Sequence, residues 1–277
     1  MPLLLKTDIE GKVDRKIRGR VARAGGSVGQ LVNYANCRVE DINILDGGFG
    51  NVLKFGSLSN IRKVFRILRK YPQQELAFWR HGSVRSRDRK TIILDLHNAV
   101  QEKPFLEDRY ECSISSNMIE HSPNPIFLLL NFYYITQKDG YQYHAIPHYK
   151  YTYDRYRKTT KLEHLISDFT NMTDVDDQTH NEDYIQSAVV KDGWQRDFHK
   201  SYPVKYPFIH FHVFDENIVK ELFEYMFEDV TNDILRTDVF SDNVVVCRNS
   251  LNPDFLAEHR PALLELGIIP KEEAQEL

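Results

Sequence analysis

The sequence predicts an α/β fold, and three stretches carry that prediction. INILDGGFG is an apolar run closed by Asp46, Gly47, Gly48 and Gly50, which reads as a strand feeding a tight turn. TIILDL reads as a buried strand ending at Asp95. From Glu111 the chain reads strand (ECSISSN), helix (NPIFLLLNFYYITQ), Asp-Gly turn and strand (YQYHAIPH). Strand and helix patterns that alternate in this way build a mostly parallel sheet covered by helices.

The remaining elements follow in order. In KVDRKIRGRVARAGG, Val13, Ile17 and Val21 recur at i, i+4 and i+8, which predicts a basic helix broken at Gly25-Gly26. It is either an anchor to an anionic surface or a solvated arm or oligomer contact. SNIRKVFRILRKYP reads as an amphipathic helix, N-capped by Ser59 and stopped by Pro72, and ELAFWR as a short strand. Residues 149–206 lose regular period apart from KLEHLISDF, and a loop-rich insert of that length is usually functional. DENIVKELFEYMFEDV resumes as a helix capped by Asp215, with Ile218, Leu222 and Phe223 inward. TNDILRTDVF and DNVVVCRN then form a hairpin around Ser241-Asp242. The expected organisation is a basic N-terminal extension (1–38), a main domain (39–250) with residues 149–206 as lid or binding insert, and a C-terminal tail (251–277).

Composition narrows the function classes. The 277 residues are 42% hydrophobic, enough for a sizeable core, and a net charge of -4 argues against nucleic acid as partner. Three separated cysteines without a CxxC pair argue against a disulfide framework or zinc ribbon and fit a reduced, cytoplasmic setting. No apolar run approaches the ~20 residues of a membrane span, so membrane contact is expected to be peripheral at most.

A strand ending in glycines lets a ligand approach the backbone closely. A dinucleotide fingerprint running from Gly48 and Gly50 requires a third glycine directly after Val52, where this chain has Leu53, which disfavours NAD. Apolar run, acid, Gly-Gly-x-Gly is closer to an S-adenosylmethionine loop. Asp95, at a strand end, suits an adenine amino group or is a solvated strand-end acid. His164 and Asp168 stand four residues apart on a predicted helix and so face one way.

Glycine turn, strand–Asp, MIEHSPNP, helix, KDG, strand and IPH together resemble a class I S-adenosylmethionine-dependent methyltransferase. Tyr151, Thr152, Asp154, Arg155, Arg157, Thr160, Glu163, His164, Leu165 and Asp168, followed by His180, His210 and His212, resemble a subgroup of surface-polysaccharide biosynthesis that methylates O-antigen sugars such as perosamine. The resemblance implies a Rossmann-like, seven-stranded, mostly parallel sheet with the insert after the fifth strand. It implies S-adenosylmethionine as donor, S-adenosylhomocysteine as product, and a polysaccharide or lipid-linked glycan acceptor. A non-catalytic binding subunit of the same fold, or an enzyme for a small nucleotide-linked sugar or phosphate compound, is the alternative. Homo-oligomerisation is compatible with either.

On that resemblance the donor contacts are Asp46, Gly47, Gly48, Gly50, Asp95, Glu120 and His121. Proton transfer falls to His164, His148 and Asp154, since a weakly acidic hydroxyl needs a base as its C–O bond forms. Acceptor contacts fall to Tyr151, Arg155, Arg157, Thr160, Asp168, His180 and His212. His180, His210 and His212 are also conceivable ligands of a divalent metal, a less favoured reading because a buried histidine pair looks the same. Two departures stand out: Phe78-Trp79-Arg80-His81 where a ribose-binding acid ends the second strand, with Glu75 or Asp88 as substitutes, and His148 where the subgroup has Asp.

Overall fold

The computed structural model describes residues 19–25, 37–43, 90–93, 109–174, 177, 179–191, 209–236 and 241–270. Among these residues seven strands form one sheet in the order β3-β2-β1-β4-β5-β7-β6. They are β1 (Gly19–Gly25), β2 (Cys37–Asn43), β3 (Lys90–Ile93), β4 (Tyr110–Ser116), β5 (Thr136–Pro147), β6 (Thr231–Arg236) and β7 (Ser241–Arg248). Neighbours among β1 to β5 run parallel, and β7 is antiparallel to both β5 and β6. The sheet is therefore mixed, with a parallel body and an antiparallel hairpin at one side. Strand order reverses between β1 and β4, the switch point outside which open α/β sheets bind ligands. At that edge Gly25 lies beside Ser116, and Pro147 lies opposite Asp242.

Two expectations about the N-terminal half are corrected. Residues 19–25 are a strand in the middle of the sheet, not the end of a basic helix, so the sheet begins well before residue 39. Val21, Ala22 and Ala24 are buried, as suits a strand between two parallel neighbours. The run is too short for period to separate helix from strand. The strand that precedes Asp46-Gly47-Gly48 in sequence is Cys37–Asn43, and it is the second of the chain rather than the first. ELAFWR, the helix 59–72, Asp46, Gly47, Gly48, Gly50 and Asp95 lie outside the described residues.

Helix α1 (Pro125–Ile135) starts where Asn124-Pro125 predicts. The Asn124 carboxamide oxygen accepts from the Phe127 N–H at 3.0 Å, and Pro125 occupies the first turn, where no N–H is needed. Every residue but Tyr133 is buried, so α1 is a central helix and not an amphipathic one. β5 begins at once. The predicted Asp-Gly turn is an irregularity inside that strand, where Asp139 has φ 62° and pairing jumps from Tyr110↔Thr136 to Cys112↔Tyr141. A Cβ on Gly140 would stand 2.7 Å from the Glu111 carbonyl oxygen and 2.8 Å from that of Gln137, so only glycine fits.

A buried polar chain pins this junction. His144 bridges Ser115 Oγ (2.7 Å) and Gln142 Oε1 (3.0 Å), and burial pushes it down to about 3, so the ring is neutral. Gln142 donates to Asn249 Oδ1 at 2.6 Å. Asn249 Nδ2 is shared among the carbonyls of Tyr133, Thr136 and Gln137.

After β5 the insert carries a 3-10 turn (Tyr149–Tyr151), α2 (Leu162–Thr170) and α3 (Thr179–Tyr184), which runs into a π-helical segment (Ile185–Lys191). Helix α4 (Glu216–Met226) is capped by Asp215, which accepts from Asn217 and Ile218 N–H at 3.0 Å each, with Ile218, Leu222 and Phe223 inward. The hairpin pairs β6 with β7, and Ser241-Asp242 opens β7 instead of forming its turn. Helix α5 (Pro253–Glu265) follows, capped by Asn252. Among the described residues no helix is long and apolar enough to cross a membrane.

Candidate functional site

Directly after β4, a 3-10 turn (Ile119–His121) places Glu120 and His121 beyond the parallel edge of the sheet. The backbone oxygen of Glu120 accepts from the Phe211 N–H at 2.8 Å, so residues 209–214 lie against this turn. That segment is not a strand. It is held by Arg157, whose Nη1 and Nη2 donate to the carbonyls of His210 (2.6 Å) and Phe211 (3.0 Å). Arg157 also donates from Nη1 to Asp154 (2.9 Å) and from Nε to Asp183 (2.6 Å). Four hydrogen bonds commit its guanidinium to the insert and to residues 209–214, so it has little left for an anionic acceptor.

Asp154 organises the first cluster. Its Oδ1 takes the Arg157 contact, and its Oδ2 meets Thr152 Oγ1 and, at very short range, His210 Nδ1. Burial alone would raise its pKa, but hydrogen bonds and charge from His210 and Arg157 outweigh it and hold it below the usual range. His210 thus carries its proton on Nδ1, toward Asp154, and turns Nε2 toward Glu120 Oε1, 4.0 Å away. His121 Nε2 is 3.8 Å from that same oxygen, and its Nδ1 meets the Ile209 carbonyl at 2.7 Å. Among the described residues no donor meets either Glu120 oxygen in good hydrogen-bond geometry, the Asn117 side chain and the backbone standing only near it, and the residue is buried. Burial pushes its pKa well up, Asp242 and Asp154 add to this, and its own backbone and the Asn117 side chain offset only part. Burial likewise pushes His121 down to about 4.

The second cluster lies along α2. His164 and Asp168 do share a face, with Nε2 to Oδ2 at 3.4 Å. His180 from α3 brings its Nε2 within 3.0 Å of His164 Nε2, and His212 Nε2 lies 2.9 Å from Asp168 Oδ2. For Asp168, too, burial works upward, but His180 and His212 prevail and lower it far below the usual range. Burial pushes His212 down to about 4.

The other predicted residues are placed differently. His148 has both ring nitrogens engaged: Nε2 with Glu216 at 2.8 Å and Nδ1 accepting from the Lys150 N–H at 3.3 Å. Tyr151 is exposed and edges the His148 ring. Arg155 is exposed and lies over the Tyr156 ring. Thr160 pairs with Val213 through backbone and hydroxyl, both at 2.9 Å, and lines a cleft between the starts of α2 and α4.

Sequence reasoning missed Asp242, Asp183 and Glu216. Asp242 is the most consequential, a buried acid at the ligand edge that burial pushes up to about 6. Its only sequence signal was its place at the start of an apolar strand.

Solved structures of similar backbone course include the CurJ carbon methyltransferase, 14% identical over 87% of this chain and 53% of that one, with a TM-score of 0.43. The trans-methyltransferase CalH in complex with SAH is 12% identical over 87% and 53%, at 0.41. An S-adenosylmethionine-dependent methyltransferase from Methanosarcina mazei is 10% identical over 84% and 93%, at 0.40. The chain spans about half the length of the first of these. No protein-family model and no curated protein matches the sequence.

Proposed function

We propose that this chain is an S-adenosylmethionine-dependent methyltransferase acting on a sugar hydroxyl of a bacterial surface polysaccharide, such as the O antigen of lipopolysaccharide. The observation that carries the reading is the Asp154–His210 pair, set beside the unpartnered carboxyl of Glu120 just past β4. A buried polar group without a partner at a switch point suits a polar ligand. Glu120 and His121 would contact the donor, together with Gly47, Gly48 and Gly50. Because β2 is Cys37–Asn43, Asp46 is the first acid beyond the second strand and takes the ribose role in place of Glu75 or Asp88. The donor, when bound, supplies a methyl group already activated on a sulfonium.

The protein must then orient an acceptor hydroxyl and take its proton. His210 does this at Nε2, while Asp154 fixes its tautomer and stabilises the imidazolium that forms. Arg157 keeps Asp154 ionised. Burial holds the Glu120 carboxyl well above the usual carboxylate range, which favours its protonated, hydrogen-bond-donating form beside the reacting groups.

S-adenosylhomocysteine should give a binding heat by titration calorimetry, and its absence would sink the reading. With donor binding intact, His210→Gln should lower methyl transfer to an isolated surface glycan by about 10²–10⁴-fold. Mass spectrometry of surface polysaccharide from cells with and without the protein should differ by one methyl group per modified sugar.

A further inference from the structure

His164, Asp168, His180 and His212 each present one ligand atom, all within 4.8 Å of one another. The closest approaches are His212 Nε2 to Asp168 Oδ2 at 2.9 Å and His164 Nε2 to His180 Nε2 at 3.0 Å. His164 and His180 stand 3.4 and 3.7 Å from the same Asp168 oxygen. Ligand atoms around a tetrahedral zinc, with arms of about 2.05 Å, are about 3.3 Å apart, so the four atoms already outline such a polyhedron.

The hydrogen bonds behind the cluster fix what it can hold. His212 Nδ1 lies 2.9 Å from the Ser122 carbonyl, which can only accept, so Nδ1 carries the ring proton. Its Nε2 lone pair then faces the Asp168 carboxylate. His180 Nδ1 faces the Asp177 carboxylate at 3.6 Å, which favours the same tautomer and turns its Nε2 lone pair toward His164. Asp168 itself is steadied by Thr173 Oγ1 on its other oxygen at 3.0 Å. Lone pairs and a carboxylate converging on one point repel unless a cation or a ring proton of His164 lies among them, and of the two only a metal ion engages all four groups at once. Carbonyl and carboxylate partners on the far ring nitrogens are the outer contacts that metal-ligating histidines make.

We propose that these four residues bind a zinc-class transition-metal ion, and that the ion clamps α2 and α3 to residues 209–214. Three imidazoles and one carboxylate suit zinc and its first-row neighbours, not calcium or magnesium, which take oxygen ligands. Four protein ligands close the coordination, which marks a structural site rather than a catalytic one. His210 is not among the ligands, and the ion takes no part in methyl transfer.

The test is metal analysis of the full chain, purified without a histidine tag. About one zinc per chain is expected. Stripping with a chelator should lower Tm, zinc should restore it, and magnesium should not. Cobalt in place of zinc should give the visible absorption of a tetrahedral ion. His164→Gln, at the half-exposed ligand, keeps the fold and should weaken zinc binding by at least about 100-fold. His121→Gln, in the neighbouring cluster, should leave stoichiometry unchanged. The proposal fails if zinc shifts the Tm of wild type and of His164→Gln/Asp168→Asn equally. It fails too if His121→Gln abolishes binding, because the ion would then sit at the Glu120 cluster.

Discussion

The insert and the adjoining ligand edge of the sheet both bury carboxylic acids, yet their acids are shifted in opposite directions. In the insert, Asp154 and Asp168 are held below the usual range because Arg157 and the histidines surround them. At the edge, Glu120 and Asp242 are pushed up because burial is not matched by hydrogen bonds or cations. The two regions solve different problems. Among its described residues the insert has few buried apolar anchors: Leu165 and Phe169 join the main core, and Tyr184 packs in a small cluster with Ile209 and Phe211 just beyond it. It uses buried acids as the centres around which its segments close. The edge leaves its acids unmatched, as a surface prepared for a ligand would.

The largest effect should come from breaking the insert. Arg157→Ala leaves Asp154 buried without its cation and two carbonyls without donors, and is expected to cost about 3–5 kcal/mol. That is as much as truncating a core aromatic such as Phe223→Ala. Hydrogen exchange should show α2 and α3 released while β4 and β5 stay protected. If both regions lose protection together, the insert is not a separate unit.

Asp242→Asn probes the edge. Below the unfolded value of 3.8 the group is protonated in both states. As pH rises toward about 6 the unfolded chain releases the proton and the folded one keeps it, so stability falls across that window. The substitution should therefore stabilise the protein by up to about 3 kcal/mol at pH 7.5, and not at all below pH 3.8, in chemical denaturation at both pH values. Asp154 has the opposite sign: its contribution is present above 3.8 and is lost as pH falls through its lowered value.

Gly140→Ala, away from both regions, should cost about 1–3 kcal/mol by forcing a methyl group against two carbonyls. The smallest change should be Glu216→Gln. Its carboxylate is well exposed, so loss of the His148 contact is expected to cost under about 1 kcal/mol in the same unfolding measurement.

The parts of the fold legible in sequence were those with strong local signals. Asn124-Pro125 and Asp215 mark helix starts by capping chemistry, and the β6–β7 hairpin shows in its two apolar runs. β1 was not legible, since RVARA gives no period of its own and its burial comes only from neighbours far along the chain. The helix position of His164 and Asp168 was readable from spacing. Their convergence with His180 and His212 was not, because it depends on how α3 and residues 209–214 are brought back over α2. Arg157 is a similar case: in sequence it is a loop cation, and only the fold shows its donors turned inward.

Asn249 gives the junction of α1 and β5 a chemical lifetime. It is followed by Ser250, a pairing in which an asparagine side chain is readily attacked by the next backbone nitrogen and deamidated. In the folded chain the carboxamide is buried and tied on both its nitrogen and its oxygen, which blocks that attack. During an unfolded excursion it is unprotected, and the aspartate produced would set a carboxylate against the carbonyls of Tyr133, Thr136 and Gln137. Heat inactivation should therefore turn irreversible by a slow covalent step at one residue, visible as a one-dalton gain at Asn249 in protein that fails to refold.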